Sequence, residues 1–144
     1  MAANKRYLDA LSVADDPTAA YKLLDGVCEP AVYAKRRRRG LNPLRKDDVR
    51  LFAAVLRGEH HLQGFTNRDL AARLDLARPS DAHERRKLSG RVTRLIQLLR
   101  AHGLIAKVPR SRRYRVSVSG LAIMIAAVHL REDDLPGKLQ QAVA

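Results

Sequence analysis

The sequence has no tryptophan, two phenylalanines, four tyrosines and a single cysteine, Cys28, among its 144 residues. One cysteine excludes an intramolecular disulfide and any zinc site built from several thiolates. The scarcity of large aromatics argues against a helix lying in a membrane interface, where Trp and Phe anchor the apolar face beside basic residues. Long hydrophobic runs are missing too: the longest, Leu121 to Val128, falls far short of the roughly 20 residues that span a bilayer. The opening MAANKRYLDALSVADD has no apolar stretch behind its basic residues, so no secretory leader is expected.

Catalytic chemistry is equally sparse. Glycine-rich phosphate loops are absent. His60 and His61 adjoin, His83 and His102 stand at opposite ends of one expected helix, and His129 is alone, so no metal-ligand spacing forms. Asp47-Asp48 and Asp133-Asp134 are acid pairs, but a helix start and a solvated tail explain them more simply than a divalent ion. Glu29 beside Cys28 would raise the thiol pKa, so a redox role is disfavoured and burial as a small apolar residue is expected. The expectation is a protein that is not an enzyme and carries no cofactor or metal.

Positive charge is what the sequence has in excess. Lys and Arg number 28 against 15 Asp and Glu, a net charge of +13, on a chain whose 46% hydrophobic content suffices for one buried core. The charge is clustered: residues 31–58 carry +7 and residues 85–115 carry +11 with no acid, whereas 1–30, 59–84 and 116–144 are slightly negative. A surface made only for solubility would intersperse both signs, and clustering of this kind attracts polyanions.

Apolar periodicity divides the chain. A helix is expected over residues 3–14, stopped by Asp15-Asp16-Pro17, and a second over Thr18 to Val27. Ala31 to Tyr33 reads as a short strand, with Lys35 to Arg39 either the return of a hairpin or a flexible basic arm. After Gly40-Leu41-Asn42-Pro43 the pattern becomes regular. Lys46 to Arg57 is a helix with acids in its first turn. Thr66 and Asp69 form a shortened capping box for a short helix ending near Leu76. Ser80 or Asp81 caps a long helix from Ala82 to His102, whose apolar stripe is Leu88, Val92, Leu95, Ile96 and Leu99 and whose stop is Gly103. Alternation then marks strands over Leu104 to Val108 and Arg113 to Val116, and Ser117 caps a final helix from Ser119 to about Arg131. The expected domains are an extension with a basic arm (1–40), a regular unit (41–131) and a polar tail (132–144).

Three helices followed by a hairpin give a mainly α fold with a small β component, α+β, in the element order of a winged helix-turn-helix. Opposite the stripe of the long helix lie Arg86, Lys87, Gly90, Thr93, Arg94 and Gln97, with Arg100 more to one side. Arg and Lys donate to guanine O6 and N7, Gln pairs with adenine, Thr meets a thymine methyl or a phosphate, and Gly90 lets the backbone approach. The hairpin tip supplies Arg110, Ser111, Arg112 and Arg113 for phosphates, and Lys35, Arg36, Arg37, Arg38 and Arg39 add nonspecific affinity. A plain solvated face is the bland alternative for each set.

The stretch LIQLLRAHGLIAKVPRSRRYRVSVSG, through Leu99, Gly103, Leu104, Ile105, Tyr114, Ser117 and Gly120, resembles the winged-helix repressors of prokaryotes such as the MarR-like and ArsR-like families. That resemblance covers residues 45–131 and implies duplex DNA binding, often as a dimer. The basic run Lys35 to Arg39 departs from the MarR-like pattern. The chain also resembles the C-terminal region of longer uncharacterised bacterial proteins, through Ala2 to Leu8, Gly40-Leu41-Asn42-Pro43 and Gly64 to Leu70, which implies one module of a larger architecture or a stand-alone relative. The expected protein is a cytoplasmic, nucleoid-associated binder of duplex DNA, with an RNA-binding or protein-interaction module as the alternative. Self-association is expected through the apolar final helix, unless terminal helices cover it within one chain.

Overall fold

The computed structural model describes residues 17–57, 63–76 and 80–131. The expected helix over 3–14, the residues His60, His61 and Asp133-Asp134, and the polar tail lie outside the described residues. The described chain is mixed α+β: α1 (Pro17–Cys28), β1 (Ala31–Tyr33), β2 (Arg36–Arg38), α2 (Lys46–Leu56), α3 (Asn67–Arg73), α4 (Ala82–Ala101), β3 (Ile105–Lys107), β4 (Tyr114–Val116) and α5 (Val118–His129). Each strand pair is an antiparallel hairpin of its own, β1 with β2 and β3 with β4.

The core is organised around α5. Every residue from Gly120 to Ala127 is buried, as expected of a helix that is apolar on all sides, and α1 and α2 pack against it. Leu24 and Val27 from α1, and Leu51, Phe52 and Val55 from α2, belong to the same cluster. Leu121, Ile123, Met124 and Ile125, the apolar residues of the final helix, are buried within the chain, and Val128 is half-buried. Cys28 departs from expectation. It is exposed at the last position of α1, one residue past Val27, which takes the core-facing place.

Local signals set the helix ends. Thr66 and Asp69 form a complete capping box: the Asp69 N–H donates to Thr66 Oγ1 and the Thr66 N–H to Asp69 Oδ2. Asp81, not Ser80, caps α4 by accepting from the Glu84 N–H at 2.8 Å. At the other end Gly103 takes φ +69, the Gly103 N–H donates to the Arg100 carbonyl and the Leu104 N–H to the Leu99 carbonyl. That is a Schellman closure, and it turns the chain directly into β3. Ser117 caps α5 through the Gly120 N–H.

The β3–β4 hairpin is joined by one further residue. Phe65 and Tyr114 exchange both backbone hydrogen bonds, at 2.9 and 2.8 Å, so the segment before α3 forms a one-residue third strand beside β4. Gly64 permits this approach. Its φ is +81, and a Cβ there would lie 2.6 Å from the Tyr114 carbonyl oxygen.

Candidate nucleic-acid interface

The long helix α4 has two distinct halves. From Ala82 to Lys87 the sequence offers no large apolar side chain, and every residue of that stretch is exposed. That segment, about one and a half turns, stands off the core, and the exposed side continues through Ser89, Gly90, Arg91 and Arg94 while Leu88 and Val92 pack inward. At roughly 100° per residue, Arg85, Arg86 and Lys87 fan out around the projecting segment, and Arg91 and Arg94 continue the side of Lys87. Arg85 and Arg91 were not in the expected contact set. The missing apolar side chains before Leu88 are the sequence signal that could have found Arg85.

The second half of α4 is embraced. Leu98 is buried although it lies roughly 120° round the helix from Val92, and β1 packs against α4. The expected contacts divide accordingly. Arg86, Lys87, Gly90 and Arg94 are exposed, with Lys87 lying 3.9 Å from Glu84, an acid on the same turn. Thr93 and Gln97 are half-buried and partnered. Asn67 donates to Thr93 Oγ1 at 3.4 Å, and Arg38 donates to Gln97 Oε1 at 2.9 Å. An amide oxygen already engaged by a guanidinium is a poorer half of a bidentate adenine contact.

The β3–β4 tip is also divided. Arg110, at φ +57, and Arg112 are exposed, whereas Ser111 serves the turn: its hydroxyl donates to the Val108 carbonyl and accepts from the Arg113 N–H. Arg113 turns toward α3, where it lines an open cleft of about 370 Å³ with Arg57 and Arg73. Ser111 is therefore a shaping residue of the tip.

Lys35 to Arg39, left open between arm and hairpin, fold as a hairpin. Tyr33 pairs with Arg36 across the two-residue turn Ala34-Lys35, whose φ values of 52° and 62° are those of a type I′ turn. Lys35, Arg36 and Arg37 are exposed. Arg38 reaches Gln97, and Arg39 forms a two-point ion pair with Asp48, at 2.9 and 2.7 Å. Asp48 is 1% exposed and accepts a further hydrogen bond from the Asn42 N–H. Burial pushes its pKa up, but the Arg39 hydrogen bonds, the Asn42 N–H and the charges of Arg39 and Arg45 outweigh that and hold the carboxyl below its ordinary value. The Arg39 guanidinium is correspondingly raised by its hydrogen bond to Asp48. Asp48 was expected as a helix-dipole acid only.

Arg100 joins the two hairpins. Its guanidinium carbon lies 5.0 Å from the centre of the Tyr33 ring and 5.9 Å from that of Tyr114, within cation–π range of both. Tyr33 immediately precedes the first hairpin's turn, and Tyr114 follows Arg113 at the end of the second hairpin's loop.

Other chemistries find less support. The Cys28 thiol is pushed up by partial burial first, then by Asp25 and Glu29, which disfavours the thiolate. Among the described residues no three His, Cys, Asp or Glu side chains lie close enough to hold a metal ion, and no helix is long and apolar enough to cross a membrane. Comparison with protein-family models, curated proteins and solved structures finds no match.

Proposed function

We propose that residues 41–131 form a winged helix-turn-helix that binds duplex DNA with sequence selectivity, as a transcriptional regulator or as the DNA-binding module of a mobile-element-related system. The order α2, α3, α4, β3, β4, the packing of α3 on α4 and the Phe65–Tyr114 bridge beside β4 support that fold. The observation carrying the function is the projecting first half of α4. Its exposed face carries Arg85, Arg86, Lys87, Arg91 and Arg94 against the single acid Glu84, and no acid occurs from Arg85 to Arg115.

A major groove is flanked by two phosphate backbones, so a helix entering it meets anions on both flanks and base edges in front. Arg86, Lys87, Gly90 and Arg94 face the bases, Arg91 faces a flanking phosphate, and Arg110 and Arg112 hold the wing to the backbone. A structure built for single strands would present stacking aromatics. Among the described residues Phe52 and Phe65 are buried, and Tyr33 and Tyr114 are half-buried against Arg100.

Fluorescence anisotropy with duplex DNA, duplex RNA and single strands at equal salt tests the reading. Preference for duplex DNA, with affinity falling steeply as salt rises, is expected. Preference for RNA, or no nucleic-acid affinity at moderate salt, would overturn it in favour of an RNA-binding or protein-interaction module.

A further inference from the structure

The first hairpin is held more firmly than a connecting loop requires. Its turn places Ala34 and Lys35 in the left-handed region, where residues with a Cβ pay on the order of 1 kcal/mol each and Asn-Gly is the usual choice. Side-chain contacts at both ends oppose that strain. Arg39 is clamped to buried Asp48, His102 Nε2 donates to the Arg39 carbonyl at 2.9 Å, Arg38 is bound to Gln97, and Tyr33 lies against Arg100. What this framework presents is Lys35, Arg36 and Arg37, three consecutive exposed cations in a hairpin with no acid.

We propose that β1–β2 is a second wing: Lys35, Arg36 and Arg37 bind backbone phosphates of the same duplex that α4 and the β3–β4 wing engage. Arg38, Arg39 and Arg100 are its positioning residues. The proposal rests on the duplex-binding reading and extends it. Attachment to one stretch of duplex follows from the hub at Arg100, since the base of each tip touches that single side chain and both hairpins therefore rise from neighbouring points on α4. A flexible arm would have to be ordered on binding, at about 1–2 kcal/mol per residue. In the latched hairpin that ordering is completed on folding.

The test is anisotropy of the full chain on duplex DNA over a salt series. Simultaneous replacement of Lys35, Arg36 and Arg37 by Ala should make the logarithmic salt slope shallower by about 2 to 3, near 0.9 per lost phosphate contact, with base preference unchanged. Asp48→Asn separates position from charge. It adds a net positive charge, so electrostatics alone predicts tighter binding, whereas an unlatched hairpin binds more weakly; the comparison is made where a thermal melt shows the variant folded. An unchanged slope in the triple variant overturns the second wing and leaves the duplex reading standing. Tighter binding by folded Asp48→Asn overturns the positioning role. If the unaltered chain fails to bind duplex DNA, the underlying reading falls and the second wing with it.

Discussion

Arg39 grips Asp48 with both terminal guanidinium nitrogens, and the two partners are unequally wet: the Arg39 side chain is 44% exposed and that of Asp48 is 1% exposed. The inequality sets what each loses when the other is removed. Arg39→Ala strands an ionised carboxylate that water scarcely reaches, a loss of about 3 kcal/mol after one partner of a buried pair is deleted. Asp48→Asn leaves a guanidinium that solvent can reclaim and an amide that still accepts from Asn42, at roughly 1–2 kcal/mol. Urea denaturation of the two variants should therefore rank Arg39→Ala as clearly the less stable. The reverse ranking would mean that Asp48 is not the buried member.

The same pair predicts an acid limb of stability. The Asp48 pKa is lowered in the folded chain, so the folded state favours the ionised form. That contribution is complete above the unfolded value of about 3.9 and is lost as pH falls from there through the depressed folded value. Stability measured below about pH 5 should fall less steeply in Asp48→Asn than in the parent, so that the two curves converge toward low pH. Parallel curves across that range would sink the assignment.

How much of this was legible in the sequence depends on the distance over which each interaction acts. The Thr66–Asp69 capping box, the Asp81 cap, the Gly103 stop and the β3–β4 hairpin are written within a few residues, and helical or alternating periodicity locates them. Arg38–Gln97 and His102–Arg39 link positions 59 and 63 residues apart, and nothing local announces them. Helical azimuth identifies the wet face of α4 only while the core lies on one side, as it does through Arg91. Near Thr93 the start of α3 supplies Asn67 and near Gln97 the first hairpin supplies Arg38, so both side chains acquire intramolecular partners that helical azimuth does not show. Ser111 was obscured differently: its hydroxyl suits a phosphate and a tight turn equally well, and only the fold shows that the turn uses it.

Glycines give a third prediction, with opposite signs at different positions. A Cβ at Gly120 would lie 2.2 Å from the Leu104 carbonyl oxygen, while one at Gly90 meets nothing within 4 Å. Gly120→Ala forces backbone apart where α5 leaves β4 and should cost about 1–3 kcal/mol. Gly90→Ala removes unfolded-chain entropy from an exposed helix interior and should raise stability by about 0.5–1 kcal/mol. If Gly90 also lets the α4 backbone approach bases, the same variant binds duplex DNA more weakly while melting higher. Thermal melts paired with anisotropy read both signs, and unchanged affinity in Gly90→Ala would remove the close-approach role.

The division of labour between α4 and the wing is the sharpest test of the interface. Arg94 is exposed on α4, facing base edges in the proposed complex, whereas Arg112 sits at a hairpin tip shaped by Ser111. Loss of a base contact should cost about 1–3 kcal/mol on the preferred site and little on random duplex, so Arg94→Ala relaxes specificity. Loss of a phosphate contact should weaken every duplex alike and flatten the salt slope by about 0.9, the pattern expected of Arg112→Ala. Selection from a random pool supplies the preferred site, and anisotropy on that site and on random duplex then separates the two behaviours. Equal losses from both substitutions on both duplexes would show that α4 and the wing bind only as charge.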